Sequence, residues 1–366
     1  MRVLLPVVAV ACLGAVMVAA GGDEGKDPSA VLSAAREALG GEKSLASVKS
    51  FVATGRTRQI RGQSLVPIEF EIACELPDKY VRKDEVPAQE SEPTTSGFNG
   101  EGLIQIPKPT APPPGAAAKP PAAPAAGGAP AAAAATAAAP AAPATSTTGA
   151  AATPAAGAPS AAPAKPAGPP PTPPDPRKAR VVSLKQDFAR LTLGMFAASF
   201  DSYPLTFTFV GQAEAPQGKA DVLDVKGPGT FALRYFINAE THLPIMVSWT
   251  NPATNVVMTD PGQAAPAATP PGSIIVQAPA RPQATAPKEQ QDQYVKDVQE
   301  LRKKALSGAK PVETRIYFAD YRDIGNGLKF PFRLRKAVAG ETIEETNFDA
   351  FKINPRIDPR KFETLK

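Results

Sequence analysis

Residues able to do chemistry are few in this chain, and they are scattered. His242 is the only histidine; after the first twenty residues, Cys74 is the only cysteine. Thiolate and imidazole metal sites need several ligands at close spacing, and neither residue has a partner of its kind. His242 lies between Thr241 and Leu243 in a hairpin pattern, where a turn residue is the simpler reading. Two carboxylate pairs, Glu69/Glu71 and Glu344-Glu345, have the residue types for general acid–base work. Both fall in strand-like stretches and read as solvated edges. No serine sits in a Gly-flanked nucleophile elbow, and no Gly-rich loop follows a strand to cradle phosphate. No catalytic, metal-binding or cofactor-binding residue is therefore assigned, no cofactor is expected, and the chain reads as a non-enzyme. Trp249, the only tryptophan, reads as a core residue sharing its face with Val247 and Ile245. Cys74, in the apolar register of its strand, reads as a buried, inert thiol.

Most of the remaining composition concerns export and spacing. Arg2 followed by the uncharged run Val3 to Ala20, ending Val18-Ala19-Ala20, has the form of a signal peptide cleaved near Ala20. An uncleaved anchor and a lipoprotein signal at Cys12 are the alternatives, and no later stretch could span a membrane. Of the 43 prolines, 21 lie between Pro107 and Pro176, among Ala, Gly, Ser and Thr. That tract lacks the large apolar side chains needed to offset the entropy of ordering. A shorter tract, Pro261 to Pro287, has the same character. Roughly 250 residues remain, which is within the range of one domain. The expected organisation is a signal peptide over 1–20, a helix and first strands over 21–106, and a disordered insert over 107–176. A lid helix and middle strands follow over 177–260, a second disordered insert over 261–287, and a helix and last strands over 288–366. The net charge of +5 drops by one when Arg2 leaves. Its Lys and Arg are scattered without interleaved aromatics, so a solvated surface is favoured over a basic face for anionic lipid, and nucleic acid is not an expected partner.

The elements that must position any site are mostly strands. Asp27-Pro28 opens a helix with the stripe Val31, Ala34, Ala35, Ala38 and Leu39, stopped by Gly40-Gly41. Phe51 to Arg61 and Leu65 to Leu76 follow as strands. In the second, Val66, Ile68, Phe70, Ile72 and Cys74 face one way and Glu69, Glu71 and Glu75 the other, the period of a sheet with one wet face. Lys79 to Lys83 and Leu103 to Ile106 complete the first group. After the insert, Val181, Leu184, Phe188, Leu191 and Met195 form one helical stripe reaching about Ser199, with Lys185 on the solvent side. Strands are then expected from Leu205 to Phe209, Val222 to Lys226, Thr230 to Asn238 and Leu243 to Thr250. A modest helix covers Gln291 to Leu306, and three strands close the chain: Glu313 to Arg322, Leu328 to Val338 and Thr342 to Ile353. About four strands thus precede the central helix and about seven follow it.

So many antiparallel strands must curl, split or close. The fold class is α+β, mainly antiparallel β: an unclosed β-barrel wrapped around one or two helices and interrupted by the disordered Pro/Ala-rich tracts. Phe188, Leu191 and Met195 would face Phe70, Ile72 and the other inward side chains.

Several stretches carry a family resemblance. They are Ala38-Leu39-Gly40-Gly41 with Val48-Lys49-Ser50; Leu76-Pro77-Asp78-Lys79; Asp224-Val225 before Gly227; and Thr241-His242-Leu243-Pro244. The longest joins Tyr321-Arg322 to Gly327-Leu328-Lys329-Phe330-Pro331 and ends at Phe351-Lys352-Ile353-Asn354. Together they resemble the outer-membrane lipoprotein-sorting (LolA-like) superfamily, in a divergent bacterial branch. The resemblance implies an unclosed barrel with a helical lid, whose cavity holds acyl chains or other apolar ligands during carriage through the periplasm. The Pro/Ala insert is longer than a carrier needs, and no family residue for docking a membrane partner can be placed. The expected cavity lining is Phe70, Ile72, Phe188, Leu191, Met195 and Trp249. The expected role is a periplasmic or secreted carrier or sensor of a lipidic ligand. The alternative is an envelope scaffold with a protein partner, using the Pro-rich tracts as spacers. A large dry cavity would favour the first reading and a filled barrel the second.

Overall fold

The Asp27 carboxylate accepts the Ser29 N–H at 2.9 Å, and Pro28 takes the first turn of α1 (Pro28–Ala38), where a backbone donor would go unused. A short α2 (Glu42–Ser47) follows. The structure, a computed structural model, describes residues 25–61, 64–87, 92–107, 175–215, 218–266 and 269–364. The expected signal peptide and residues 108–174 of the first tract lie outside the described residues. All described residues belong to one unit, so the sequence on both sides of residues 110–173 folds together.

Five strands run in a meander: β1 (Ser50–Arg61), β2 (Ser64–Glu75), β3 (Lys79–Glu85), β4 (Thr94–Asn99) and β5 (Gly102–Ile106). Then come α3 (Pro176–Phe196) and a second meander of β6 (Thr206–Ala215), β7 (Gly218–Lys226), β8 (Ala232–Asn238) and β9 (Pro244–Asn251). A small pair, β10 (Val256–Thr259) and β11 (Ile274–Gln277), precedes α4 (Lys288–Ser307). The last strands are β12 (Val312–Asp323), β13 (Lys329–Val338) and β14 (Glu341–Ile353). Twelve strands form one open antiparallel sheet in the order β5-β4-β3-β2-β1-β14-β13-β12-β9-β8-β7-β6. The two meanders are thus joined by the last three strands, and the edge strands β5 and β6 are the two that α3 connects along the chain.

The expected alternation of β2 is present: Phe70, Ile72 and Cys74 are buried on the concave side. The convex side is wet only at one end. Ala73 is buried there with Val81 and Ile104, because the C-terminal segment lays Ile357 and Phe362 across them. The register β1–β14 shifts between Thr54 and Gly55. A side chain at Gly55 would meet the Phe348 backbone and the Phe70 ring, so a glycine there lets the two strands and Phe70 close up.

Three sequence expectations are corrected. Strand β4 was not expected; its residues are mostly Thr, Ser, Gly and Asn, and a single large side chain, Phe98, is what it buries. The stretch 261–287 is not strand-free, since Ile274–Gln277 pairs in parallel with Val256–Thr259: a β-branched run survives inside a Pro-rich composition. Ile245 packs with Phe236 and Met246 on the convex side, while Val247 and Trp249 join the concave core. The helix expected over Gln291 to Leu306 is α4; its apolar side, including Tyr294, Val298 and Leu301, is only half-buried.

Candidate functional site

The concave face of the sheet is occupied by α3. Its start repeats the chemistry of α1: the Asp175 carboxylate accepts the Arg177 N–H at 2.9 Å, with Pro176 in the first turn. The sequence reading left both residues in the insert, because Pro-rich composition masks a cap.

The two halves of α3 are held differently. In the first half Val181 and Leu184 are buried and Val182 is exposed. Lys185, expected on the solvent side, is buried and paired with Glu101 in the β4–β5 turn, beside the Phe98 ring. A stripe calculation assumes that a helix has one dry side, but α3 lies inside a curved sheet and touches β4, β5, β9 and β13. From Phe188 onward every residue is buried except Leu191, which is half-buried at the margin.

Aromatic contacts pack the second half. The Phe188 ring centroid lies 5.4 Å from Tyr80, 5.7 Å from Phe98 and 6.1 Å from Phe200. Phe196 sits 5.2 Å from Phe330 and 5.6 Å from Phe200. Phe70, expected opposite Phe188, has Phe348 as its edge-on ring neighbour at 5.4 Å. At Gly194 the helix lies close against the sheet, since a Cβ there would overlap the Phe318 ring.

A helix end buried in a protein must find donors for its last carbonyls. Here they come from side chains. The Tyr235 hydroxyl donates to the Leu193 carbonyl at 2.8 Å, and the Tyr321 hydroxyl to the Gly194 carbonyl at 2.9 Å. Arg36 of α1 donates through Nη1 to the Ala197 carbonyl at 3.3 Å. Ala197 takes a left-handed conformation, φ 46°, and closes the turn with its N–H on the Leu193 carbonyl at 3.2 Å.

Arg190 is the unusual member. It is 8% exposed, and its guanidinium lies 4.2 Å from the Trp249 ring and 5.1 Å from the Phe231 ring. Nη1 donates to Asp187 at 2.8 Å, but Nε is buried without an acceptor among the described residues. Burial pulls its affinity for the proton below the usual arginine range, against the opposing pull of Asp187. By contrast, the polar groups on the concave side of β1–β3 are partnered. Arg82 donates to Asp84 at 2.7 Å and to Thr57 Oγ1 at 3.1 Å, and the Thr57 and Thr346 hydroxyls bond each other at 2.9 Å.

A crevice beside α3, lined by Phe188, Ala189, Thr192, Ala198, Phe200, Tyr203 and Leu205, is too narrow for a water molecule. A larger hollow of about 440 Å³ lies on the convex face among charged side chains, including Arg56, Glu69, Lys83 and Lys361. Of the six expected lining residues, Phe70, Ile72, Phe188, Met195 and Trp249 share one buried cluster on the concave side, with Leu191 at its edge. They line a packed core. His242 sits in the turn after β8 with φ 55°, its N–H on the Asn238 carbonyl at 2.9 Å, as a turn residue does. No group of three or more potential metal ligands occurs among the described residues, and no described helix is long and apolar enough to cross a membrane. Sequence reasoning missed Arg190, Lys185 and the two tyrosine anchors; the one available signal was an arginine two places after Phe188 in a helix reaching into the core.

No family model matches the sequence, and a search among curated proteins finds no relative. Solved structures are similar at low identity. A LolA superfamily protein from Nitrosomonas europaea is similar at 8% identity and a TM-score of 0.41, over 93% of this chain and 99% of that one. A DUF1329 family protein from Desulfovibrio piger is similar at 8% identity and a TM-score of 0.37, over 92% and 98%. A domain from Vibrio parahaemolyticus, provisionally assigned to outer-membrane lipoprotein sorting, is similar at 7% identity and a TM-score of 0.37, over 92% and 97%.

Proposed function

We propose that this chain is an exported, non-catalytic carrier or sensor of an apolar or lipidic ligand in the cell envelope, with α3 as the movable cover of its concave face. The observation that carries the reading is that an open sheet's apolar face is covered by a helix whose last turn has three side-chain hydrogen bonds and whose first half is held by fewer contacts. The last turn of α3 is fixed by Tyr235, Tyr321 and Arg36. Its first half is held by Val181, Leu184 and one ion pair to a surface turn.

Magnitudes say how such a cover could work. Uncovering Val181, Leu184, Phe188, Leu193, Met195 and Phe196 together would cost about 1.5–3 kcal/mol each, or roughly 9–18 kcal/mol. An acyl chain returns about 0.8 kcal/mol per buried methylene, so ten methylenes return about 8 kcal/mol before association costs. A ligand therefore cannot expel α3. It can lift the first half, replace the contacts of Val181 and Leu184, and leave the anchored end in place.

The packed interior favours a second reading, an envelope scaffold or interaction protein whose Pro-rich tracts, 107–176 and 261–287, act as spacers for a protein partner. Titration with a fluorescent fatty acid or phospholipid separates the two. Saturable micromolar binding supports the carrier, and no binding at tens of micromolar leaves the scaffold.

A further inference from the structure

We infer that Arg190 is the recognition residue for an anionic head, a carboxylate or phosphate, on the amphiphile that the concave face takes up. The inference rests on the carrier reading above and names its ligand class. Three observations meet at this residue. An arginine side chain nine-tenths buried keeps one N–H, Nε, without an acceptor among the described residues. Among the described residues its one paired carboxylate is Asp187, which is 60% exposed and so faces solvent. Its guanidinium carbon lies 4.2 Å from the Trp249 ring and 5.1 Å from the Phe231 ring, two contacts that limit its movement.

The crevice beside it is closed to water in this structure and would take a tail only once the cover lifts. Ala189, next to Arg190 on α3, lines the dry crevice, and so does Tyr203, whose ring stands edge-on to Phe231 at 5.3 Å. The orphaned donor and the crevice thus share walls, at the boundary between the loosely and tightly held halves of α3. A buried donor without a partner costs free energy that a head group with an acceptor recovers. A charged acceptor recovers most, because a hydrogen bond from the guanidinium to an ionised oxygen is stronger than one to a neutral oxygen. A neutral head of the same length leaves the cation as it was. Sites built this way discriminate strongly against analogues that lack the bonding group.

The test compares three probes of matched chain length on the full mature chain: a fatty acid, the corresponding alcohol, and a lysophosphatidic acid. Binding is followed by displacement of a fluorescent fatty acid and by emission of Trp249, the single tryptophan, which lies against Arg190. The wild type is expected to bind at least one of the two anions tenfold or more tighter than the alcohol, and the tighter anion names the head. Arg190→Gln should lose that preference while still binding the alcohol. Arg190→Lys, which keeps the charge without the planar fork, should fold and keep part of the preference. Equal binding of acid, phosphate and alcohol by the wild type would overturn the inference and leave the carrier reading standing. Binding of none would overturn both.

Discussion

The anchored end of α3 makes a quantitative prediction, because its two tyrosine bonds are not equivalent. Tyr235 and Tyr321 donate to neighbouring carbonyls, those of Leu193 and Gly194. The Leu193 carbonyl also accepts the Ala197 N–H at 3.2 Å. In Tyr235→Phe that carbonyl keeps a partner, and the loss is the net worth of one hydrogen bond, about 0.5–1.5 kcal/mol. The Gly194 carbonyl lies in the last turn, beyond the reach of intrahelical donors. Tyr321→Phe leaves it with no partner in a buried place, at about 1–3 kcal/mol. For a domain of this size each kcal/mol moves the thermal midpoint by about 2–4 °C. The expected shifts are therefore roughly 1–6 °C for Tyr235→Phe and roughly 2–12 °C for Tyr321→Phe. The two changes act on one helix end and should not be additive. Urea denaturation is the assay: midpoints should fall in that order with unchanged slopes. Equal losses, or a larger loss for Tyr235→Phe, would show that these bonds do not anchor α3 as described.

Other expectations follow from the same packing. Gly194→Ala should destabilise by about 1–3 kcal/mol through overlap with Phe318, despite alanine's better helix propensity, and Phe318→Leu in the same chain should restore part of the loss in a thermal melt. Burial raises the phenols of Tyr80 and Tyr235 above their usual value, so above about pH 10 the unfolded chain releases protons that the folded chain holds. Stability should be insensitive to these groups below that pH and fall as pH rises past it, with phenolate absorbance from both appearing only on unfolding. Cys74 is buried, and burial raises its thiol well above the usual range; native protein should resist thiol reagents that label the denatured chain at once. Replacing residues 108–174 with a short Gly/Ser linker, which keeps the Asp175-Pro176 cap of α3, should leave the midpoint within a few degrees, whereas a loss of cooperative unfolding would mean that the tract packs on the sheet.

What the sequence discloses is what lies in local pattern. Asp27-Pro28 announces α1, the alternation from Val66 to Cys74 announces β2 and its dry side, and the run of strands around one strong helix implies an open, curved sheet. Long-range pairing leaves no such trace. Nothing near Phe51 indicates that it will lie opposite Ile353, nor does Ala73 reveal that Ile357 and Phe362 will cover it. Lys185 and Arg190 show the limit most clearly. Charged residues in an amphipathic helix read as solvent-facing, and only the curved sheet on several sides of α3 buries them. Five of the six candidate lining residues belong to the concave core as their periodicity suggests. Periodicity reports which side of an element is dry, but not whether the space beyond is filled, and α3 fills it.

The most direct measurement is native mass spectrometry of the full chain purified from its own envelope under gentle conditions. The account predicts a fraction of the protein carrying an added mass that matches an anionic amphiphile and is lost on denaturation. Protein that is uniformly bare, and stays bare after incubation with envelope lipids, would contradict it and leave a scaffold with a permanently packed interior.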